Sequence, residues 1–459
     1  MSLVDTIVAQ ISGQISSGLY RAGQKLPSVR RGAEQFGVSK NTMAEAYDRL
    51  VARGLAMARQ GSGYYITDRR PPPTPRIRPD VREATSIVSL LREQLDQHYE
   101  TRPGDGRPPA SWTEDGHMRR ILRAGRTAMG DIEFGYGSSW GLGALRDWLR
   151  MSLAERSIPA EPDGIMLTSG VNHGLDLIIR RLIEPGDTVF VDSPGYYPLF
   201  AKLRLAKATV IPVHRLEDGP DLGDLQEKLA LHHPKVFFTQ SQAHNPTGGT
   251  LSPSTAFSLL QMAEIHDFRI VEDDIFADLL APSLPRLAAF GQQQRVLYVG
   301  SFSKTLSASL RCGYVAGDPS LIRSLVDLKM ITTVATSAHV EQLVTEMIDS
   351  GQYLKHLRRL RNRMEDGTKN TVRALCEVGI DVAMPRVPGF YLWVSLPDRI
   401  NEHEFCQRAA AADIFVAPAS VFYTDRDPPQ QPGMRVNVAY GADSRFCDFL
   451  HQELNTSEK

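Results

Sequence analysis

Lys304 stands inside a run of hydroxyl side chains, Ser301-Phe302-Ser303-Lys304-Thr305-Leu306-Ser307, and Arg311 follows shortly after it. These residue types suit a phosphate-bearing aldehyde. Hydroxyls and a guanidinium hold a phosphate through charge-assisted hydrogen bonds, and a lysine amine takes the carbonyl as a Schiff base. Taken alone, the segment reads equally as a solvated loop lysine among serines. Its address adds weight to the chemical reading. Arg295-Val296-Leu297-Tyr298-Val299 reads as a buried strand, so Lys304 lies just past a strand's carboxyl end, where open α/β sheets bind ligands.

Other polar groups also sit at the ends of short apolar runs. Ile165-Met166-Leu167-Thr168 reads as a strand leading into Ser169-Gly170-Val171-Asn172-His173-Gly174 and a helix from Leu175 to Leu182. A strand feeding small residues into a helix amino terminus forms an anion site, because free amides and the helix dipole point at it. Thr188-Val189-Phe190-Val191-Asp192 reads as a strand ending at Ser193-Pro194-Gly195-Tyr196-Tyr197, where an aromatic could stack on a flat ring or merely pack. Val236-Phe237-Phe238-Thr239 precedes His244-Asn245-Pro246-Thr247-Gly248, a turn that presents an asparagine amide. Ile270-Val271-Glu272-Asp273-Asp274 places carboxylates at a further strand end, although an isolated Asp-Asp would read as a helix cap. Gly433-Met434-Arg435-Val436-Asn437-Val438 opens a strand with an arginine.

At 459 residues the chain is too long for one ordinary domain, and its composition is that of a soluble globular protein. Its four cysteines, Cys312, Cys376, Cys406 and Cys447, form no CxxC pair. Neither a disulfide framework nor a zinc site is expected, and a reducing cytoplasm fits. The first residues lack a basic stretch followed by an apolar core, and no apolar run is long enough to span a bilayer, so the expectation is a cytoplasmic protein with no membrane partner. The net charge of −1 hides an asymmetry, because residues 1–70 hold ten Lys or Arg against five Asp or Glu. A basic end on an acidic body points to a nucleic-acid partner for that end alone.

Helical periodicity runs through Leu3, Ile7, Ile11 and Ile15 up to Gly18. Ser28 can cap a second helix from Val29 to about Phe36, stopped by Gly37. Ser39 can cap a third, with Met43, Ala46, Tyr47 and Leu50 on one face. A tight glycine turn between two helices, the second opening with Ser39-Lys40-Asn41-Thr42, is helix-turn-helix geometry. The run from Gly54 to Ile66 then reads as two short strands around the tip Gln60-Gly61-Ser62-Gly63, a wing.

On Leu26-Pro27-Ser28-Val29-Arg30, Phe36 to Thr42, Tyr47-Asp48-Arg49-Leu50 and Gln60 to Gly63, this stretch resembles the winged helix-turn-helix domain of the GntR family of bacterial regulators. The resemblance implies a double-stranded DNA operator as partner. It implies contacts from Arg30, Lys40, Asn41, Thr42 and the wing tip Gly61, Ser62 and Gly63; Ser39 and Arg49 join them as candidates. Arg69 to Pro79 is too proline-rich for helix or central strand and reads as a semi-extended spacer. The expected domains are therefore 1–68 for the DNA-binding module, 69–84 for the linker and 85–459 for the large domain.

The order of the large domain's motifs resembles the type I fold of pyridoxal-phosphate enzymes, the aspartate-aminotransferase-like class. That implies an α/β domain with a mainly parallel central sheet and a small C-terminal α+β subdomain. It also implies pyridoxal 5'-phosphate as cofactor, with Lys304 as its Schiff-base lysine and Asp273 pairing with the ring nitrogen. Asn245 would donate to the ring's phenolate oxygen, and Tyr196 would cover the ring. Gly170, Val171, Asn172, Ser301, Ser303 and Arg311 would hold the phosphate, joined by Tyr136 from the partner of a head-to-tail homodimer. Arg435 would clamp an α-carboxylate. Phe276 departs from the pattern, since many relatives carry there a tyrosine that bonds the phenolate oxygen.

The whole chain resembles the MocR subgroup of GntR regulators. The resemblance implies a sensor of a small amine, an amino acid or pyridoxal phosphate itself, with a residual transaminase half-reaction left open. The alternative is a working aminotransferase carrying a DNA-binding appendage.

Overall fold

The computed structural model describes residues 3–16, 18–67, 87–113, 116, 118–120, 135–291 and 294–456. They fall into two compact units, within 1–78 and 79–459. The linker expected at 69–84 lies outside the described residues.

In the first unit, α1 (Leu3–Ser16), α2 (Val29–Phe36) and α3 (Lys40–Ala52) precede a hairpin of β1 (Ala56–Arg59) and β2 (Gly63–Ile66). Both serine caps form as the sequence predicts. Ser28 Oγ accepts from Arg31 N at 3.3 Å and Ser39 Oγ from Thr42 N at 3.1 Å, each satisfying an amide that a helix start leaves free. Gly37 ends α2 at φ 65°, a left-handed conformation that favours glycine. Met43, Ala46, Tyr47 and Leu50 are all buried. The expected stripe on α1 holds at Ile7 and Ile11, with Ile15 half-buried against the same core, and is widened by Val4 and Val8. Val4, Ile7, Val8 and Ile11 are buried, against α3 among others, while Leu3 is exposed. The hairpin is tied to α3 by Tyr64, whose hydroxyl donates to Asp48 Oδ1 at 2.8 Å and whose ring lies 4.9 Å from that of Tyr47.

The second unit is built on a sheet whose strands are β3 (Ile165–Thr168), β4 (Thr188–Ser193), β5 (Thr209–Leu216), β6 (Gly219–Pro220), β7 (Val236–Thr239), β8 (Arg269–Asp273), β9 (Val296–Ser301) and β10 (Gly313–Ala316). Their spatial order is β3-β10-β9-β8-β7-β4-β5-β6. The central strands β5, β4, β7, β8 and β9 run parallel, and β10 is antiparallel to both β9 and β3. Thr168, Ser193, Thr239, Asp273 and Ser301 therefore all end their strands at one edge of the sheet, and Gly313 begins β10 there.

The strands β7 and β9 are buried at every position, as expected for a parallel sheet covered on both faces. A smaller antiparallel sheet follows, ordered β11 (Tyr391–Ser395), β13 (Gly433–Asn437) and β12 (Ala417–Pro418), with Arg435 opposite Trp393 and Ala417. The expected α/β domain with a small C-terminal subdomain is what the chain forms. The helix expected from Leu175 starts earlier, at Val171. Gly174 lies within it because a Cβ there would come within 3.0 Å of Val315 Cγ2, so glycine lets the helix approach the sheet closely.

Candidate functional site

Asp273 ends β8 with its carboxylate at the carboxyl edge of the sheet. Oδ2 accepts from Gln240 Nε2 at 2.9 Å, while Oδ1 is buried without a hydrogen-bond partner. Burial pushes this carboxyl up to about 7. The Gln240 bond pulls it down, Asp274 adds repulsion and Lys304 opposes it. Lys304, beyond the end of β9, is half-buried, with its amine directed into the protein. Nζ donates to Gly106 O. Burial lowers this amine to about 8; Asp105 resists, and Arg435, Arg107 and Arg311 reinforce the fall. A lysine in that range has a sizeable neutral, nucleophilic fraction near neutral pH.

On one side of Lys304, Gly170 precedes the helix Val171–Leu182 at φ 78°, and no side chain caps that helix. A Cβ on Gly170 would sit 2.6 Å from Arg311 Nη2, so the glycine is what lets the guanidinium lie against the loop. Arg311 itself adopts φ 49°, and its Nη2 donates to Ser169 O at 3.2 Å. Ser301 Oγ is used internally, donating to Cys312 O and accepting from Ser303 N. Ser303 Oγ is buried without a partner. Tyr196 donates to Asn172 Oδ1 at 3.4 Å, and burial raises its phenol far above the ordinary range, which keeps it protonated.

On the other side, Arg435 on β13 is 1 % exposed. Its Nη1 donates to Asn245 Oδ1 at 2.9 Å and its Nη2 to Gly104 O at 2.7 Å, while Nε is buried without a partner. The guanidinium lies 4.6 Å from the ring centre of Tyr391 and 5.1 Å from that of Phe422. Phe276 is buried against Phe390 and Tyr391.

The strap from Arg102 to Arg107 crosses this region and was not foreseen from the sequence. Besides its bonds to Lys304 and Arg435, it accepts from Tyr391 Oη at Gly106 O, and from Asn437 Nδ2 at Asp105 O and Arg107 O. Its other end is held by buried charges. Arg102 donates to Asp105 Oδ2 and to Glu93, the latter on α4 (Ile87–Asp96). In sequence Arg102-Pro103-Gly104-Asp105-Gly106-Arg107 looks like an exposed turn. The paired glycines were the available signal, since a Cβ on Gly104 would lie 2.4 Å from Ala417 N.

The fold thus brings Gly170, Asn172, Tyr196, Asn245, Asp273, Ser301, Ser303, Lys304, Arg311 and Arg435 to one edge, with Val171 opening the adjoining helix. Tyr136 is not gathered with them in the single chain. Its side chain is 91 % exposed, and the neighbouring Gly137 lies against Thr336 and Ala338.

In the first unit, Arg30, Ser39, Lys40, Asn41 and the wing tip Gly61, Ser62 and Gly63 are exposed. Thr42 is half-buried, its hydroxyl 2.8 Å from Ser39 Oγ. Arg49 is turned to carboxylates, donating to Asp5 Oδ1 and Glu45 Oε1 at 2.7 Å each. Among the described residues, no helix is long and apolar enough to cross a membrane, and no group of His, Cys, Asp or Glu could hold a metal ion.

Comparison with known proteins follows the same two-part division. Residues 108–449 match the model of aminotransferase class I and II, and residues 3–66 that of the gntR family of bacterial regulatory proteins. The chain is 28 % identical to the HTH-type transcriptional regulator YdcR of Escherichia coli K12, over 92 % of each chain. It is also 28 % identical to the probable rhizopine catabolism regulatory protein MocR of Rhizobium meliloti, over 80 % of this chain and 76 % of that one. The crystal structure of Pyrococcus horikoshii kynurenine aminotransferase superposes with a TM-score of 0.73 at 28 % identity, covering 81 % of this chain and 94 % of that one. The chain therefore belongs to the class I and II aminotransferase family and joins that domain to a DNA-binding GntR-type helix-turn-helix, as a MocR-type transcriptional regulator.

Proposed function

We propose that this regulator holds pyridoxal phosphate at Lys304 and that a small amine, an amino acid or the cofactor itself, bound there, changes its affinity for a DNA operator. The observation that carries the reading is the pairing of a buried, unpartnered carboxylate oxygen on Asp273 with an inward-directed amine on Lys304 held near 8. An orphaned buried acceptor is costly unless something donates to it, and a protonated pyridine nitrogen is such a donor. Ser303 Oγ, the exposed guanidinium of Arg311 and the uncapped helix start at Gly170 make a donor set suited to a phosphate dianion. The kynurenine aminotransferase was crystallised in complex with PMP, which agrees with such a pocket.

When bound, the cofactor supplies an aldehyde for a primary amine and a ring that acts as an electron sink. Lys304 would offer its neutral amine, and the Asp273 carboxylate would accept from the protonated ring nitrogen. Asn245, fixed by Arg435, has its Nδ2 left to donate to the ring's phenolate oxygen. Arg435 would exchange Gly104 O for the carboxylate of an amino acid, and Tyr196 would lie over the ring. In a head-to-tail homodimer, Tyr136 of each chain would reach the partner's phosphate.

The ligand can move the operator equilibrium only by its differential affinity for the two states. The test is a titration of cofactor-loaded protein with amines and amino acids. Visible absorbance, keto-acid release and affinity for a duplex selected from a random pool are followed together. A spectral change that shifts duplex affinity without sustained keto-acid release is the expected result, and an unchanged duplex affinity across the panel sinks the sensor reading. Sustained release would favour the second reading, a working aminotransferase with a DNA-binding appendage. The intact set of Lys304, Asp273 and Arg435 is compatible with that reading, whereas the hydrophobic Phe276 speaks against efficient turnover.

Two substitutions probe the two ends of the chain. Arg435→Ala should weaken amino-acid binding by about 100-fold, the loss of a buried two-pronged contact, with the cofactor still taken up through Lys304. An undiminished response would mean that the effector carries no clamped carboxylate. Lys40→Ala should weaken binding to all duplexes and reduce the slope of log affinity against log salt by about 0.9, one phosphate contact. An unchanged slope would argue against α3 as the recognition helix.

A further inference from the structure

Gln240, just past the end of β7, divides its side-chain amide between two groups of the site. Nε2 donates to Asp273 Oδ2 at 2.9 Å, and Oε1 accepts the backbone N–H of Asn245 at 2.8 Å. Only one orientation of the amide meets both, because a carboxylate can only accept and an N–H can only donate. Gln240 is itself held from behind. Its backbone N–H donates to Asp192 Oδ2 at 3.2 Å, and that oxygen also accepts from Thr239 Oγ1 at 2.8 Å and Arg215 Nη1 at 3.3 Å. All of these residues are buried. A fixed stack from Arg215 through Asp192 and Gln240 thus ends on Asp273 and Asn245.

We propose that Gln240 is the positioning residue of the ligand site, setting with one amide both the carboxylate that meets the ring nitrogen and the asparagine that meets the phenolate oxygen. The inference rests on the reading of this site as a pyridoxal-phosphate pocket. Phe276 enlarges its consequence. With no hydroxyl at that position, placement of the Asn245 amide governs the contact at the phenolate oxygen. The same amide also favours the ionised form of Asp273, since a donor to a carboxylate stabilises its charge.

The charged and titratable groups around Gln240 come from every neighbouring strand end. Asp273 and Asp274 lie at the end of β8, Lys304 beyond β9, Asp192 on β4 and Arg215 on β5, with Tyr196 and His244 from the loops. Burial, then Arg215, lowers the His244 imidazole to about 4, so it is neutral over the working range. Glu272 points away, accepting from Leu287 N and Ala288 N.

Gln240→Glu tests the role, because the substitution keeps the shape and makes the donor titratable. A neutral Glu can donate its one O–H to Asp273 and accept from Asn245, as Gln240 does. Ionised, it sets a second negative charge against Asp273 and donates nothing. The cofactor-loaded variant should match the wild-type visible spectrum at about pH 5, then change through a step absent from wild type. Cofactor affinity should fall at least about tenfold above that step. Gln240→Ala should show the weakened affinity at every pH without the step. Circular dichroism of the cofactor-free variants checks that both fold.

If Gln240→Ala keeps the wild-type spectrum and cofactor affinity from about pH 5 to pH 9, the positioning role is overturned while the cofactor reading stands. A wild-type protein that takes up pyridoxal phosphate without any lysine-dependent absorbance overturns both.

Discussion

Lys304→Ala should fold, remain colourless once unbound pyridoxal phosphate has been removed, and lose any dependence of duplex affinity on amines or amino acids. The expected loss of cofactor affinity is on the order of 100-fold or more, since a covalent link and a cation beside a phosphate both disappear. The fold should survive because Nζ supports nothing that lacks another partner. Gly106 O, its acceptor, also accepts from Tyr391 Oη at 2.9 Å. The electrostatics point the same way. The folded-state amine is lowered from 10.5 to about 8, so the folded protein binds this proton less tightly than the unfolded chain. That costs stability in full below about pH 8, and the cost fades as the pH rises from 8 towards 10.5.

At pH 7 the cofactor-free variant should therefore melt no lower than wild type, and its advantage should shrink on going to pH 10. Thermal melts at the two pH values, with an absorbance scan after cofactor addition, check both halves. A yellow Lys304→Ala protein would mean that the chromophore is bound elsewhere. A variant that melts well below wild type at pH 7 would make Lys304 a structural residue.

The residues that carry this prediction were readable from the sequence for a topological reason. In a parallel sheet every strand ends at the same edge. Four short apolar runs with polar ends marked Thr168 with its glycine loop, Asn245, Asp273 and Lys304 as strand-end groups, and the parallel sheet that the family resemblance implied set them at one edge. The helix caps at Ser28 and Ser39 were readable because capping is local, satisfied within three residues.

What escaped depends on contacts between distant segments. Arg435 reaches Gly104, and Lys304 reaches Gly106, only after β13 and β9 have been assembled around the strap. No periodicity in the Arg102–Arg107 stretch announces that its carbonyls meet a lysine, an arginine, a tyrosine and an asparagine. Gln240 was invisible for a related reason. A lone glutamine after a strand carries no signal until β8 stands beside β7 and brings Asp273 to its amide. The same dependence moved the start of the helix after β3. Gly174 looks like loop in a window of sequence, yet it is what close packing of that helix on β10 requires.

Asp273→Asn should stabilise the cofactor-free protein while sharply weakening cofactor binding, and the two effects together identify a carboxylate kept for function at the expense of the fold. Burial raises the carboxyl from 3.8 to about 7. The folded protein therefore binds this proton more tightly than the unfolded chain, and stability that is present below about pH 4 is lost as the pH rises through 7. Above pH 7 the cost of the ionised group is at most about 4 kcal/mol, the shift multiplied by about 1.4 kcal/mol per unit. Asparagine removes that titration. Its Oδ1 can still accept from Gln240 Nε2, but its Nδ2 then occupies the place of the unpartnered Oδ1 as a donor without an acceptor. That leaves a penalty of about 1–3 kcal/mol against the gain.

The net expectation is a melting temperature higher by a few °C at pH 8, with no advantage at about pH 4. With cofactor present the sign reverses. The new Nδ2–H would face the N–H of a protonated pyridine, two donors with no acceptor between them. Affinity should fall by about 100-fold, and ring protonation should be lost from the visible spectrum. Should Asp273→Asn instead melt lower at pH 8 and keep its cofactor affinity, the carboxylate would belong to the scaffold, and the ring nitrogen would need another partner. The two measurements are independent of turnover, so they locate the cofactor's electron sink whether the loaded protein works as a sensor or as an enzyme.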